Sequence, residues 1–103
     1  MAYTEKQHQT KLNAHEDVCI ALRKIYDAKN RDYGDSFAKS FEEWGLPMSC
    51  IRINDKLNRL SSLAKGQEML VQNEGVKDTL MDLANYAIMT LVELNMAEQN
   101  KEK

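Results

Sequence analysis

Leu80-Met81-Asp82-Leu83-Ala84-Asn85-Tyr86-Ala87-Ile88-Met89, wound as a helix, is apolar on nearly every side, yet Asp82 and Asn85 stand inside it. A helix with no polar face is a buried one. A carboxylate carried inside by such a helix is costly unless it is paired or liganded. Something cationic should therefore face Asp82, and Asp78 lies one turn earlier on the same face. The apolar spacing predicts that this last helix runs from about Val76 to Met96, with residues 98–103 a frayed tail.

The preceding helix supplies the cations. The pattern predicts a helix from about Pro47 to Lys65 that buries Ile53, Leu57, Leu60 and Ala64. Arg52, Asp55 and Arg59 stand at i, i+3 and i+7, with Lys56 at i+4, on the face opposite the apolar one. Two readings stay open. In one, Arg52 and Arg59 pair with Asp78 and Asp82 as a structural ion-pair network. In the other, they line a partly open polar cavity, where guanidinium forks hold phosphate or carboxylate and the Asp side chains hold a metal or ribose hydroxyls.

Thr4 with Gln7 three residues on reads as a capping box that opens a first helix reaching about Lys29. Its stripe is Leu12, Val18, Cys19, Leu22, Ile25 and Tyr26. The run Asn30-Arg31-Asp32-Tyr33-Gly34-Asp35-Ser36 ends that helix, and Gly34 can take positive φ without steric cost. It is either an ordinary turn or a loop whose N–H groups cradle a phosphate. Phe37, Phe41 and Trp44, at i, i+4 and i+7, predict a short helix serving the core or a dimer interface. Gly45 reads as its C′ residue, Pro47 as N1 of the next helix and Gly66 as the close of that one. Residues 67–75 read as a polar loop. The expected fold is all-α, a compact bundle of three long helices and one short one. It forms a single domain over residues 1–103, with 1–4 and 98–103 frayed. A bundle of 103 residues is marginal alone, so a homo-oligomer is expected.

Composition narrows the function classes. Net charge is −2, with 14 basic against 16 acidic residues, which argues against general nucleic-acid coating. No apolar run is long enough to cross a membrane. Cys19 and Cys50 show no CxxC spacing and read as reduced thiols of a cytoplasmic protein. His15 and Cys19 stand at i, i+4, but no second pair completes a zinc site. There is no nucleophile triad, phosphate-loop or dinucleotide fingerprint.

Three blocks carry a family resemblance: residues 29–37 with Ser40, Phe41 and Gly45; Arg52-Ile53-Asn54-Asp55-Lys56 with Arg59-Leu60; and residues 78–87. In this order they resemble the nucleotide modification associated domain 1 family, small helical proteins common in phages and prophages. The family name implies an association with nucleotide and base modification. A more distant likeness is to MazG-type all-α nucleotide pyrophosphohydrolases, which bind magnesium through two acidic boxes. Asp82 followed by Leu83-Ala84-Asn85-Tyr86 resembles the end of the second box. The position three before it is Thr79, and the first box is replaced by Asn54-Asp55-Lys56-Leu57-Asn58 between two arginines.

Asp residues diluted by Arg and Lys suit a phosphate better than two magnesium ions. The expected function is therefore a phage-type nucleotide-binding protein that needs no cofactor and sequesters a nucleotide or nucleotide-derived small molecule in the host cytoplasm. Its expected ligand residues are Asn30, Asp32, Tyr33, Gly34, Arg52, Asp55, Lys56, Arg59, Asp78, Asp82 and Asn85. The alternatives are a magnesium-dependent pyrophosphohydrolase, with Asp55, Asp78 and Asp82 on the metal, and a non-catalytic protein-interaction module.

Overall fold

The computed structural model describes residues 2–66 and 75–101, so most of the expected 67–75 loop lies outside the described residues. The fold is all-α, with four helices: α1 (Glu5–Asp32), α2 (Ser36–Trp44), α3 (Leu46–Ala64) and α4 (Val76–Lys101). No helix is long and apolar enough to cross a membrane. The chain divides into two compact units, Met1–Tyr33 and Gly34–Lys103.

The first unit is α1. Its capping box forms as expected: Gln7 N–H donates to Thr4 Oγ1 at 3.1 Å, and Thr4 N–H donates to Gln7 Oε1 at 2.8 Å. The helix runs three residues past Lys29. Nothing in Asn30-Arg31-Asp32 breaks it, and Lys29 and Arg31 in the last turn suit its C-terminal dipole. Asn30 and Asp32 are therefore helical residues rather than loop residues. Of the expected stripe, Leu22 is buried and Ile25 and Tyr26 are half-buried, whereas Leu12, Val18 and Cys19 are exposed.

The second unit begins at the turn. Gly34 has φ +58° and Asp35 φ +59°, two successive left-handed residues. Glycine takes this conformation freely, and Asp is among the few other residues that tolerate it. Gly45, at φ +69°, separates α2 from α3. It ends α2 by donating its N–H to Phe41 O at 2.7 Å. Pro47 falls in the first turn of α3, one residue after the helix starts at Leu46, and Gly66 (φ +69°) closes that helix. Within this unit α3 packs chiefly on α4, and α2 lies against both.

On α3 the expected apolar stripe turns inward only in part: Ile53 and Leu60 are half-buried. Leu57 is 48% exposed and Ala64 is exposed; Met48 and Ser49 are buried, and Lys56 and Arg59 are half-buried. On α4 the buried residues are Thr79, Asn85 and Thr90, and Asp82, Tyr86 and Glu93 are half-buried. Thr79, Asp82, Tyr86, Thr90 and Glu93 recur at spacings of three and four, so they share one helical face. Polar groups thus recur along the whole inner face, beside the half-buried Leu83 and Met89.

Local bonds make it tolerable. The Thr79 hydroxyl donates to Gly75 O at 2.9 Å, backing up the first turn of α4. Thr90 Oγ1 lies 2.7 Å from Tyr86 O and 2.8 Å from Ser49 Oγ. Threonine has one hydroxyl proton, so both contacts are satisfied when Thr90 donates to the carbonyl and Ser49 donates to Thr90. Phe37 of α2 stacks on Tyr86 with ring centroids 6.2 Å apart, and on Phe41 at 6.4 Å. Trp44 is 66% exposed and takes no part in this core.

At the far end of the face, burial, reinforced by the negative charge of Asp35, raises the Glu93 carboxyl above its ordinary pKa. A raised acid favours the folded state most when protonated. Its contribution is complete below the ordinary carboxylate range and is lost as pH rises through the raised value. Glu93→Gln should therefore raise the melting temperature at pH 7, and the gain should vanish below the ordinary carboxylate range. Equal melting of the two proteins at neutral pH would contradict this. At the turn, no atom crowds a Cβ added at Gly34, so the cost of Gly34→Ala is conformational only. About 1 kcal/mol is expected, a fall of roughly 4–8 °C in melting temperature.

Candidate functional site

Two half-buried side chains face each other across α3 and α4. Lys56 Nζ lies 3.0 Å from Asp82 Oδ2, with the side chains 20% and 25% exposed. Asp82 thus meets the cation its setting demands. The cation comes from α3 as expected, and Lys56 supplies it. Helical periodicity puts Arg59 one turn on from Lys56, on the same inward side of α3. Arg59 is half-buried, its Nε is shielded from solvent, and its side chain is engaged within the fold. Asn85, 7% exposed, follows Asp82 by three residues and is likewise engaged.

The candidate site is the Lys56–Asp82 pair with Arg59 one turn on from Lys56 and Asn85 one turn on from Asp82. Two cations, one carboxylate and one amide give donors for an anion, and acceptors for hydroxyl or amino groups. Such a set can hold a phosphate at the cationic wall and hydrogen-bond a sugar or base at the opposite one.

The remaining expected residues are placed differently. Arg52, one turn before Lys56, is exposed and stands at the rim of the same α3 face. Asp55 and Asp78 are exposed. Among the described residues no three His, Cys, Asp or Glu side chains gather as metal ligands, so Asp55, Asp78 and Asp82 do not form the three-carboxylate cluster that the magnesium alternative requires. Asn30, Asp32 and Tyr33 belong to the first unit, where Asn30 is half-buried and the other two are exposed; Gly34 opens the second unit. His15 Nδ1 and Cys19 Sγ lie 3.7 Å apart, both exposed.

Sequence reasoning passed over Ser49, Thr79, Thr90 and Glu93. The signal was present. The three on α4 continue the spacing that Asp82 begins, and each is a polar residue in a helix otherwise rich in Leu, Ala and Met.

The blocks that carry Lys56, Arg59, Asp82 and Asn85 also carry a family. A family model described as nucleotide modification associated domain 1 matches residues 29–94, from the last turn of α1 through most of α4. No curated protein and no solved structure matches the chain. Both walls of the site lie inside the matched span, and the chain belongs to the nucleotide modification associated domain 1 family.

Proposed function

We propose that this protein binds a phosphate-bearing nucleotide, or a small molecule derived from one, on the polar face between α3 and α4. The observation that carries the proposal is the inward turn of Lys56 onto Asp82, with Arg59 half-buried one turn on, while Leu57 of the same helix is 48% exposed. A helix pair selected for stability alone buries its leucines and exposes its lysines. Replacing such ion pairs with apolar residues is often neutral or stabilising, so keeping one inside calls for a use. The family description, with its link to nucleotide modification, supports the same ligand class.

In this reading the Arg59 fork takes two phosphate oxygens and Lys56 a third, with Arg52 reaching in from the rim. Lys56 exchanges its bond to Asp82 for one to phosphate. The released Asp82 carboxylate accepts from ribose hydroxyls, and Asn85 offers a donor and an acceptor to a base edge. Asp55 and Asp78, both exposed, lie outside this contact set. The proposed contacts are confined to the second unit. They require no metal, and the bound molecule is held intact, so the protein acts by sequestering its ligand.

A thermal-shift panel tests this directly. It covers nucleoside triphosphates and monophosphates, nicotinamide- and ADP-ribose-type dinucleotides and cyclic dinucleotides, each with and without magnesium. At least one class should stabilise the protein without magnesium and be recovered unchanged. Arg59→Ala should weaken that ligand about 10- to 100-fold, the loss of one charge-assisted contact, while the helical circular dichroism persists. No stabilisation by any member of the panel, or full stabilisation of Arg59→Ala, would overturn the proposal. Magnesium-dependent return of the ligand as a monophosphate would replace it with a hydrolase.

A further inference from the structure

The face of α4 turned away from α3 is apolar and follows a strict rhythm. Leu80, Ala84, Ala87, Leu91 and Leu94 are spaced 4, 3, 4 and 3, the repeat of a helix–helix seam. Leu80 is 45% exposed, Leu91 58% and Leu94 37%, and Ile88 beside them is 43% exposed. Meanwhile Met48 is the only buried apolar residue among the described residues of the second unit. Leu60, Leu63 and Leu83 are half-buried, but the leucines of this stripe stay outside while Thr79, Thr90 and Ser49 are buried. A continuous apolar stripe of this length marks an association surface.

We infer that this stripe is covered by the same stripe of a second copy, the two α4 helices running antiparallel about a two-fold axis that passes beside Asn85 and Tyr86. The sequence is its own complement in that arrangement. Leu80-x3-Ala84-x2-Ala87-x3-Leu91 reads the same in both directions, so a two-fold midway between Ala84 and Ala87 sets Leu80 level with Leu91 of the second copy and Ala84 level with its Ala87. A self-complementary patch is what an isologous interface requires. Two alanines at the centre let the helix axes approach closely, with leucines interlocking on either side.

Charge selects the direction. In the antiparallel pairing Lys77 comes level with Leu94 of the second copy, and that copy's Glu98 lies one turn beyond, within reach of a lysine side chain. Two such pairs flank the seam. A parallel pairing in the same register would set Lys77 beside Lys77 and Glu98 beside Glu98, which is repulsive. The polar α3-facing side of α4 is left untouched, so the inference is independent of what the inner face binds.

Disulfide trapping of the full chain, in a Cys19→Ser, Cys50→Ser background, tests both the occupant and the direction. Sedimentation should give twice the chain mass. Leu80→Cys and Leu91→Cys singly should not cross-link, because identical residues are separated by about 16 Å along the seam, well beyond disulfide reach. The double variant Leu80→Cys/Leu91→Cys should cross-link to a dimer under mild oxidation. Circular dichroism checks that each variant is folded, and Lys77→Glu/Glu98→Lys should retain the dimer where Lys77→Glu alone weakens it. A monomer at micromolar concentration, which would leave the stripe to a different protein, overturns the inference. So does cross-linking by either single variant, the signature of a parallel pair, or a double variant that stays uncross-linked.

Discussion

The half-buried contact between Lys56 and Asp82 sets the terms for the rest of the second unit. Once Asp82 faces α3, Thr79, Asn85, Tyr86, Met89, Thr90 and Glu93, at three- and four-residue spacings along α4, are buried or half-buried with it, while Asp78 at the start of the helix stays exposed. Each has to be reconciled with a partly desolvated setting. Thr79 and Thr90 bond back to the carbonyls four residues before them, and Thr90 also meets Ser49. Tyr86 turns its ring onto Phe37, which ties α2 to the bundle. Among the described residues Glu93 has no such bond, and burial together with Asp35 pushes its pKa up. The same rotation that brings the polar side in sends Leu80, Leu91 and Leu94 out.

The two sides of α4 therefore answer to different demands. An ion pair about three-quarters removed from solvent pays a desolvation cost that its own attraction only partly offsets. In the proposed site, Lys56 and Arg59 make a charged wall and Asp82 and Asn85 a hydrogen-bonding one. In the proposed dimer the apolar stripe of α4 would supply a continuous hydrophobic contact of the kind a small helical unit needs. A polar site inside and an apolar contact outside make a coherent molecule when two copies share the seam and each keeps its own inner face for ligand.

Much of this was legible in the residues. The four helices, the Thr4 capping box and the glycine stops at Gly45 and Gly66 follow from local chemistry, which needs no knowledge of packing. Asp82 and Asn85 stood out because polar groups interrupt an apolar run. What periodicity could not say was which side of a two-faced helix looks inward. On α3, Leu57 and Lys56 are neighbours on different faces, and the ordinary preference for burying leucine fails at Leu57 although Ile53 and Leu60 are half-buried. The choice is made by tertiary pairing with Asp82, which no window on α3 alone contains. The Asn30-to-Ser36 run misled for the opposite reason. Turn-forming residues were counted together, whereas only Gly34 and Asp35 take left-handed angles, and the helix persists up to them.

The central claim is that the charges between α3 and α4 are kept for a ligand and not for stability. Calorimetric melting of the double variant Lys56→Met/Asp82→Leu, with and without the nucleotide that stabilises the wild-type protein, tests it most directly. The account predicts that the apolar pair melts at or above the wild-type temperature and no longer responds to the nucleotide. A variant that melts far below wild type, or one that the nucleotide stabilises as fully as before, would show that the pair serves the fold and that the ligand lies elsewhere.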